Sequence, residues 1–148
     1  SFPTRRSSDL NGNKTATLDS TVRATNSVYS GNWYWELDTT SPDIVVGINT
    51  STDAALTTVG QTTTSYGWSI ATKQTFAKGV ATSHPTWPSV GPTDRVGVYL
   101  NSVAQSLTFS VNGVEVGAIE NIDCECILYK CRYTYDTTCR LYQRLRYC

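Results

Sequence analysis

A two-residue turn does most to fix what this chain can fold into. In Phe109-Ser110-Val111-Asn112-Gly113-Val114-Glu115-Val116, Asn-Gly stands between two segments that alternate in polarity. Both central positions of the tightest hairpin turn need positive φ, which Asn and Gly tolerate best, so a β-hairpin is predicted here. The same period of two recurs upstream. Trp33, Trp35 and Leu37 share one face of their segment, while Tyr34, Glu36 and Asp38 share the other. Ile44, Val46 and Ile48 repeat the pattern, as do Val96, Val98 and Leu100, and Leu107, Phe109 and Val111. Successive strand side chains point to opposite faces, so each apolar set is predicted to line a core. Tyr34, Glu36 and Asp38 are predicted to form a solvated face. Pro42, Pro85, Pro88 and Pro92 fall between strand candidates, where a missing amide donor does no harm. Short strands split by turns, without helical periodicity, predict an all-β sandwich or barrel.

The length of 148 residues suits one domain with one core. Acidic and basic residues cancel at 12 each, so no global field points to nucleic acid or an anionic membrane. No apolar run is long enough to cross a bilayer, and no membrane insertion is expected. The charges are nonetheless uneven: residues 11–122 hold five Lys and Arg against eight Asp and Glu.

Both ends are set apart by texture. Residues 1–10, SFPTRRSSDL, match the translation of a common sequencing adapter over their whole length. They are read as adapter-derived or as a disordered polar N-terminus, without function in either case. Residues 123–148 turn abruptly rich in Cys, Tyr, Arg and Leu and contain all five cysteines. Those cysteines, at 124, 126, 131, 139 and 148, show no C-x-x-C spacing and have no histidine among them. The preferred reading is a reading-frame slip near residue 122, with a small disulfide module or metal site as the alternative.

Over residues 11–122 the motifs resemble the SPRY (B30.2-like) family. Ser30-Gly31-Asn32-Trp33-Tyr34-Trp35-Glu36-Leu37 resembles its Ser-Gly element before a Tyr-Trp-Glu strand. Val46-Gly47-Ile48 resembles the next strand, with Gly between two aliphatics. Ser65-Tyr66-Gly67-Trp68 is similar to its Ser-Trp-Gly-Tyr element with the aromatics exchanged, and Asp94-Arg95-Val96-Gly97-Val98 to its Gly-Asp-Val-Ile-Gly-Val. Leu107 through Gly117 resembles the closing Leu-Ser-Phe-x-x-Asn-Gly hairpin. The resemblance implies a two-sheet antiparallel β-sandwich, a concanavalin A-like jelly roll, most similar to the compact phage and bacterial versions. The family continues beyond Ile119 through two further strands that close the sheets, and the Cys-rich segment stands in their place. The sandwich is therefore expected to lack its native C-terminal strands, to expose a bare edge and to be marginally stable.

Catalysis is not expected. Glu36-Leu37-Asp38 opens like a glycosidase strand, but retaining hydrolysis needs a second carboxylate across the bond, and Thr40 and Ser41 occupy the positions where it would stand. His84 is the sole histidine, with no G-x-S-x-G or H-x-x-x-H to accompany it. Acids such as Asp43, Asp53 and Asp94 are scattered one per segment, so neither a metal nor another cofactor is expected. What remains is recognition of a protein or peptide through the loops; the rival is a carbohydrate or host-surface module of a phage tail-associated protein. Trp87, in the Pro-rich stretch 81–92, is either an exposed anchor or a plug that covers the sandwich end. Trp87, His84, Asp53 and Tyr66 are the predicted ligand-binding residues, drawn from that stretch and from the connection at 49–65 with its following strand.

Overall fold

The computed structural model describes residues 14–16, 20–28, 32–39, 43–49, 62–123, 127–133 and 137–144, with side chains at 32–38, 43–48 and 62–123. Among these residues are twelve strands and no helix. The first seven strands are β1 (Lys14–Ala16), β2 (Ser20–Val28), β3 (Asn32–Thr39), β4 (Val45–Asn49), β5 (Ser65–Ser69), β6 (Gln74–Ala77) and β7 (Val80–Ser83). The other five are β8 (Arg95–Asn101), β9 (Ser106–Val111), β10 (Val114–Ile119), β11 (Ile127–Tyr133) and β12 (Thr137–Arg144). They form two six-stranded sheets, ordered β1-β12-β3-β8-β9-β10 and β2-β11-β4-β5-β6-β7. Each ladder is antiparallel. This is the two-sheet sandwich that the family resemblance implied, and one of the two architectures that the alternating segments predicted.

The core follows from that alternation. Trp35 and Leu37 of β3, Val96, Val98 and Leu100 of β8, and Leu107 and Phe109 of β9 are fully buried. They face Ile44, Val46 and Ile48, together with Tyr66, Trp68 and Ile70, in one apolar cluster. Trp33 and Val111 pack against its margin. The hairpin is as predicted: Asn112 and Gly113 have φ of 51° and 81°, and Val111 pairs with Val114 across the turn.

The opposite face of β3 departs from expectation. Tyr34 and Glu36, predicted to be solvated, are buried at 3% and 8% exposure, and only Asp38 is half-exposed. The reason lies in the neighbouring strand. Gly97 stands opposite Glu36 in the ladder, and its missing side chain leaves room for the Tyr34 ring. A Cβ on Gly97 would overlap Ser110 Oγ and come within 2.7 Å of Tyr34 Oη. Tyr34 Oη then donates to Glu36 Oε1 at 2.8 Å beneath the Arg95 guanidinium.

The C-terminal segment also departs from expectation. No bare edge replaces the closing strands, because the segment supplies an interior strand to each sheet. β11 lies between β2 and β4, and β12 between β1 and β3. Both strands run in register along core strands, β11 along β4 and β12 along β3. Tyr129 and Cys131 stand opposite the core positions Ile48 and Val46, while Cys139 and Leu141 stand opposite Leu37 and Trp35. Lys130 and Arg140 stand opposite Gly47 and Glu36, in the alternate register.

Candidate ligand-binding groove

The connection from β7 to β8, residues 84–94, is a pinned structure. His84 N donates to Lys73 O at 2.8 Å, and Trp87 N donates to His84 O at 3.0 Å, closing a turn through Pro85 and Thr86. Further along, Gly91 N donates to Asp94 Oδ2 at 2.8 Å and Asp94 N returns a bond to Gly91 O at 3.1 Å. Asn112 Nδ2 donates to Asp94 Oδ1 at 2.8 Å, which ties the connection to the β9–β10 turn. These two donors, the Gly91 amide first, hold the Asp94 carboxyl below its ordinary pKa. Val90 is buried in the core.

Trp87 combines both roles the sequence offered it. Its ring meets Trp68 edge-on, with centroids 5.3 Å apart at 81°, and lies 6.2 Å from Phe109. His84 stacks on it at 4.2 Å and 21°. Beneath it lies Gly117, where a Cβ would overlap Trp87 Cζ2. The ring thus plugs the sandwich margin, yet it remains half-exposed. Its free side, with Thr86 and Pro88, forms one wall of a groove of about 480 Å³. Val111, Val114, Glu115 and Val116 of the hairpin form the other wall. Val114 is 70% exposed.

The predicted site residues separate in space. His84 and Trp87 are in contact. His84 Nε2 is 2.8 Å from Thr75 Oγ1, so the imidazole supports the Trp87 ring and is fixed from both sides. Tyr66 is not a surface residue. It is 1% exposed inside the core, and its hydroxyl accepts from Asp123 N at 3.2 Å. The reason is its register: Tyr66 pairs with the core residue Ile48, so both point between the sheets. Asp53 lies outside the described residues. Val114, Glu115 and Val116 were missed. Their alternation after the Asn-Gly turn gave the face, but not that the hairpin tip stands opposite Trp87.

A second, polar cleft of about 420 Å³ lies on the outer face of the first sheet, lined by Glu36, Asp38, Thr93, Arg95, Asn112 and Gly113. Arg95 Nε donates to Asp38 Oδ1 at 2.6 Å, and its two terminal nitrogens reach Glu36 Oε2 and Asp38 Oδ2 at 3.3 Å each. Both carboxylates are thereby committed to one guanidinium. Among the described residues, no group of three His, Cys, Asp or Glu is placed to hold a metal ion.

Burial, followed by the hydrogen bond to Glu36 and its charge, raises the Tyr34 phenol above the ordinary tyrosine pKa. A folded-state pKa above the unfolded one favours the native state while the unfolded phenol keeps its proton. That contribution is complete below pH ~10 and is lost progressively as the pH rises past it. Urea midpoints measured from pH 8 to 11 are therefore expected to fall more steeply for the wild type than for Tyr34→Phe. Parallel profiles would refute the assignment.

Comparison with known proteins places this geometry in a family. The sequence model of the SPRY domain matches residues 32–122. Among solved structures, the TRIM65 PSpry domain is similar with a TM-score of 0.68 at 18% identity, over 86% of this chain and 73% of that one. The SPRY domain of human HERC1 is similar with a TM-score of 0.68 at 15% identity, over 93% of this chain and 92% of that one. At such identities the likeness is one of fold. No curated protein sequence matches the chain.

Proposed function

The chain belongs to the SPRY domain family, and from that premise we propose that it is a non-catalytic module that takes a protein or peptide ligand in the Trp87 groove. SPRY domains are generally protein–protein interaction modules. One observation carries the reading to this place: a half-exposed Trp on a hydrogen-bonded, Pro-rich connection faces an exposed Val across an open groove. Aromatic side chains in ordered pockets supply most of the energy of typical interfaces. Order before binding lowers the entropy that a ligand must overcome. The groove volume lies within the range of natural ligand pockets. The non-catalytic reading is supported by the commitment of Glu36 and Asp38 to Arg95, and of His84 to Thr75 and Trp87.

Val114→Asp tests the reading. The substitution puts a charge at the groove mouth, on a side chain that makes little contact with the core. The variant is expected to melt within about 5 °C of the wild type. Dodecapeptides selected from a random display library on the wild type are expected to lose at least about tenfold in affinity for it, since a buried lone charge costs more than 1.4 kcal/mol. Equal binding to both proteins would place the site elsewhere. A glycan array run in parallel addresses the carbohydrate alternative, which has the polar Arg95 cleft in its favour. Saturable glycan binding lost in Asp38→Ala, with no peptide selected, would reverse the assignment.

A further inference from the structure

We infer that the ligand is an extended peptide segment that adds a strand to the open edge of β10, with a Lys or Arg opposite Glu115 and apolar residues on either side of it. The inference rests on the groove reading and specifies its occupant. Among the described residues β10 ends its sheet, so one row of its backbone groups has no ladder partner there. In a two-residue hairpin the pair flanking the turn exchanges both amide bonds, and here that pair is Val111 and Val114. The next residue, Glu115, therefore turns its N–H and C=O away from β9, towards the open edge. Past Glu115 the register shifts at a bulge, and pairing resumes with Gly117 opposite Phe109. The available edge is thus short, centred on Glu115, and it runs along the groove that Trp87 walls.

The side chains specify the occupant. A residue directly opposite Glu115 on an added strand shares its face, and opposite charges are favoured there. The neighbours of that residue point to the other face, towards Val114, Val116 and Trp87. Apolar–basic–apolar is the matching triplet. A second copy of this chain fits badly, since antiparallel self-pairing centred on Glu115 would put two carboxylates opposite each other. The net acidity of residues 11–122 favours a basic segment in the same sense. Strand addition draws its affinity from main-chain bonds and its specificity from alternate side chains, so both should be visible in a scan.

The experiment uses the dodecapeptides selected on the full-length protein. Single N-methylation along the best binder is expected to cost at least tenfold at every second residue of the central stretch, and less than threefold between them. Reselection on Glu115→Lys is expected to exchange Lys or Arg for Asp or Glu at one fixed position beside the apolar anchor. Tolerance of N-methylation throughout, or uniform damage, would overturn strand addition. So would an unchanged charge preference on Glu115→Lys. Either result leaves the groove reading standing as long as Val114→Asp still weakens the peptides; failure of that variant to weaken them overturns both.

Discussion

A chain ending at Asp123 is expected not to fold: a far-UV spectrum without native sheet signal, no cooperative melting transition, and binding of a hydrophobic dye at room temperature. The reason is position within the sheets. β11 and β12 are interior strands, and each has a ladder on both sides. β12 pairs with β3 along eight registered positions and is, among the described residues, the sole ladder partner of β1. β11 bridges β2 and β4 in the same way. Removing them strands β1 and β2 and uncovers the flanks of Trp35, Leu37, Val46 and Ile48, four of the most deeply buried side chains. A domain of this size has roughly 5–15 kcal/mol in hand, and uncovering two inner ladders exceeds that. The contrary outcome is equally informative. If residues 1–123 melt cooperatively at the temperature of the whole chain, the C-terminal segment is not part of the fold. A reading-frame slip would then be the better account of its composition.

What the sequence disclosed, and what it concealed, has a physical pattern. Strand faces were legible wherever apolar residues alternate with polar ones, as in Leu107-Phe109-Val111 with Thr108 and Ser110 between them, because burial on one side of a sheet imposes that period. The hairpin was legible because its turn demands a backbone conformation that few residues adopt. β11 and β12 were not, because their Cys-, Tyr- and Arg-rich composition lacks the run of aliphatic residues that marks the other strands, and their pairing with β4 and β3 is a long-range fact. Burial of Tyr34 and Glu36 depends on Gly97 in another strand, a cross-strand fact invisible within 33–38. Tyr66 was misplaced although its own period, shared with Trp68, points inward. Trp87 could be narrowed only to plug or anchor, since both follow from a Trp in a Pro-rich connection. The groove opposite it needs the height of the hairpin tip above the sandwich margin, which no local pattern encodes.

Gly47→Ala is the single substitution expected to damage the fold most. The sequence marked Gly47 only as a Gly between two aliphatics; the ladder gives the reason for it. Gly47 pairs with Gly67 across β4 and β5, and a Cβ there would overlap the Tyr66 carbonyl oxygen and lie 2.6 Å from Gly67 Cα. The atoms in the way are backbone, so no rotamer change relieves the overlap. β4 is held by β11 on its other side and cannot slide away alone. Relief requires parting β4 from β5 beside Tyr66 and Trp68, which breaks ladder bonds and opens the core together. The cost should exceed about 3 kcal/mol, at the upper end of overpacking effects. Gly91→Ala is the matched control. A Cβ at Gly91 meets only Asp94 Oδ2, at an ordinary 3.6 Å, and the Gly91 amide that serves Asp94 is retained. Its expected effect lies within about 1 kcal/mol of zero, with a stabilising sign if the unfolded chain loses freedom. Chemical denaturation of the two variants side by side measures the difference. Equal midpoints would mean that β4 and β5 do not approach each other as described, and the seat of Trp68 beneath Trp87 would have to be redrawn with them.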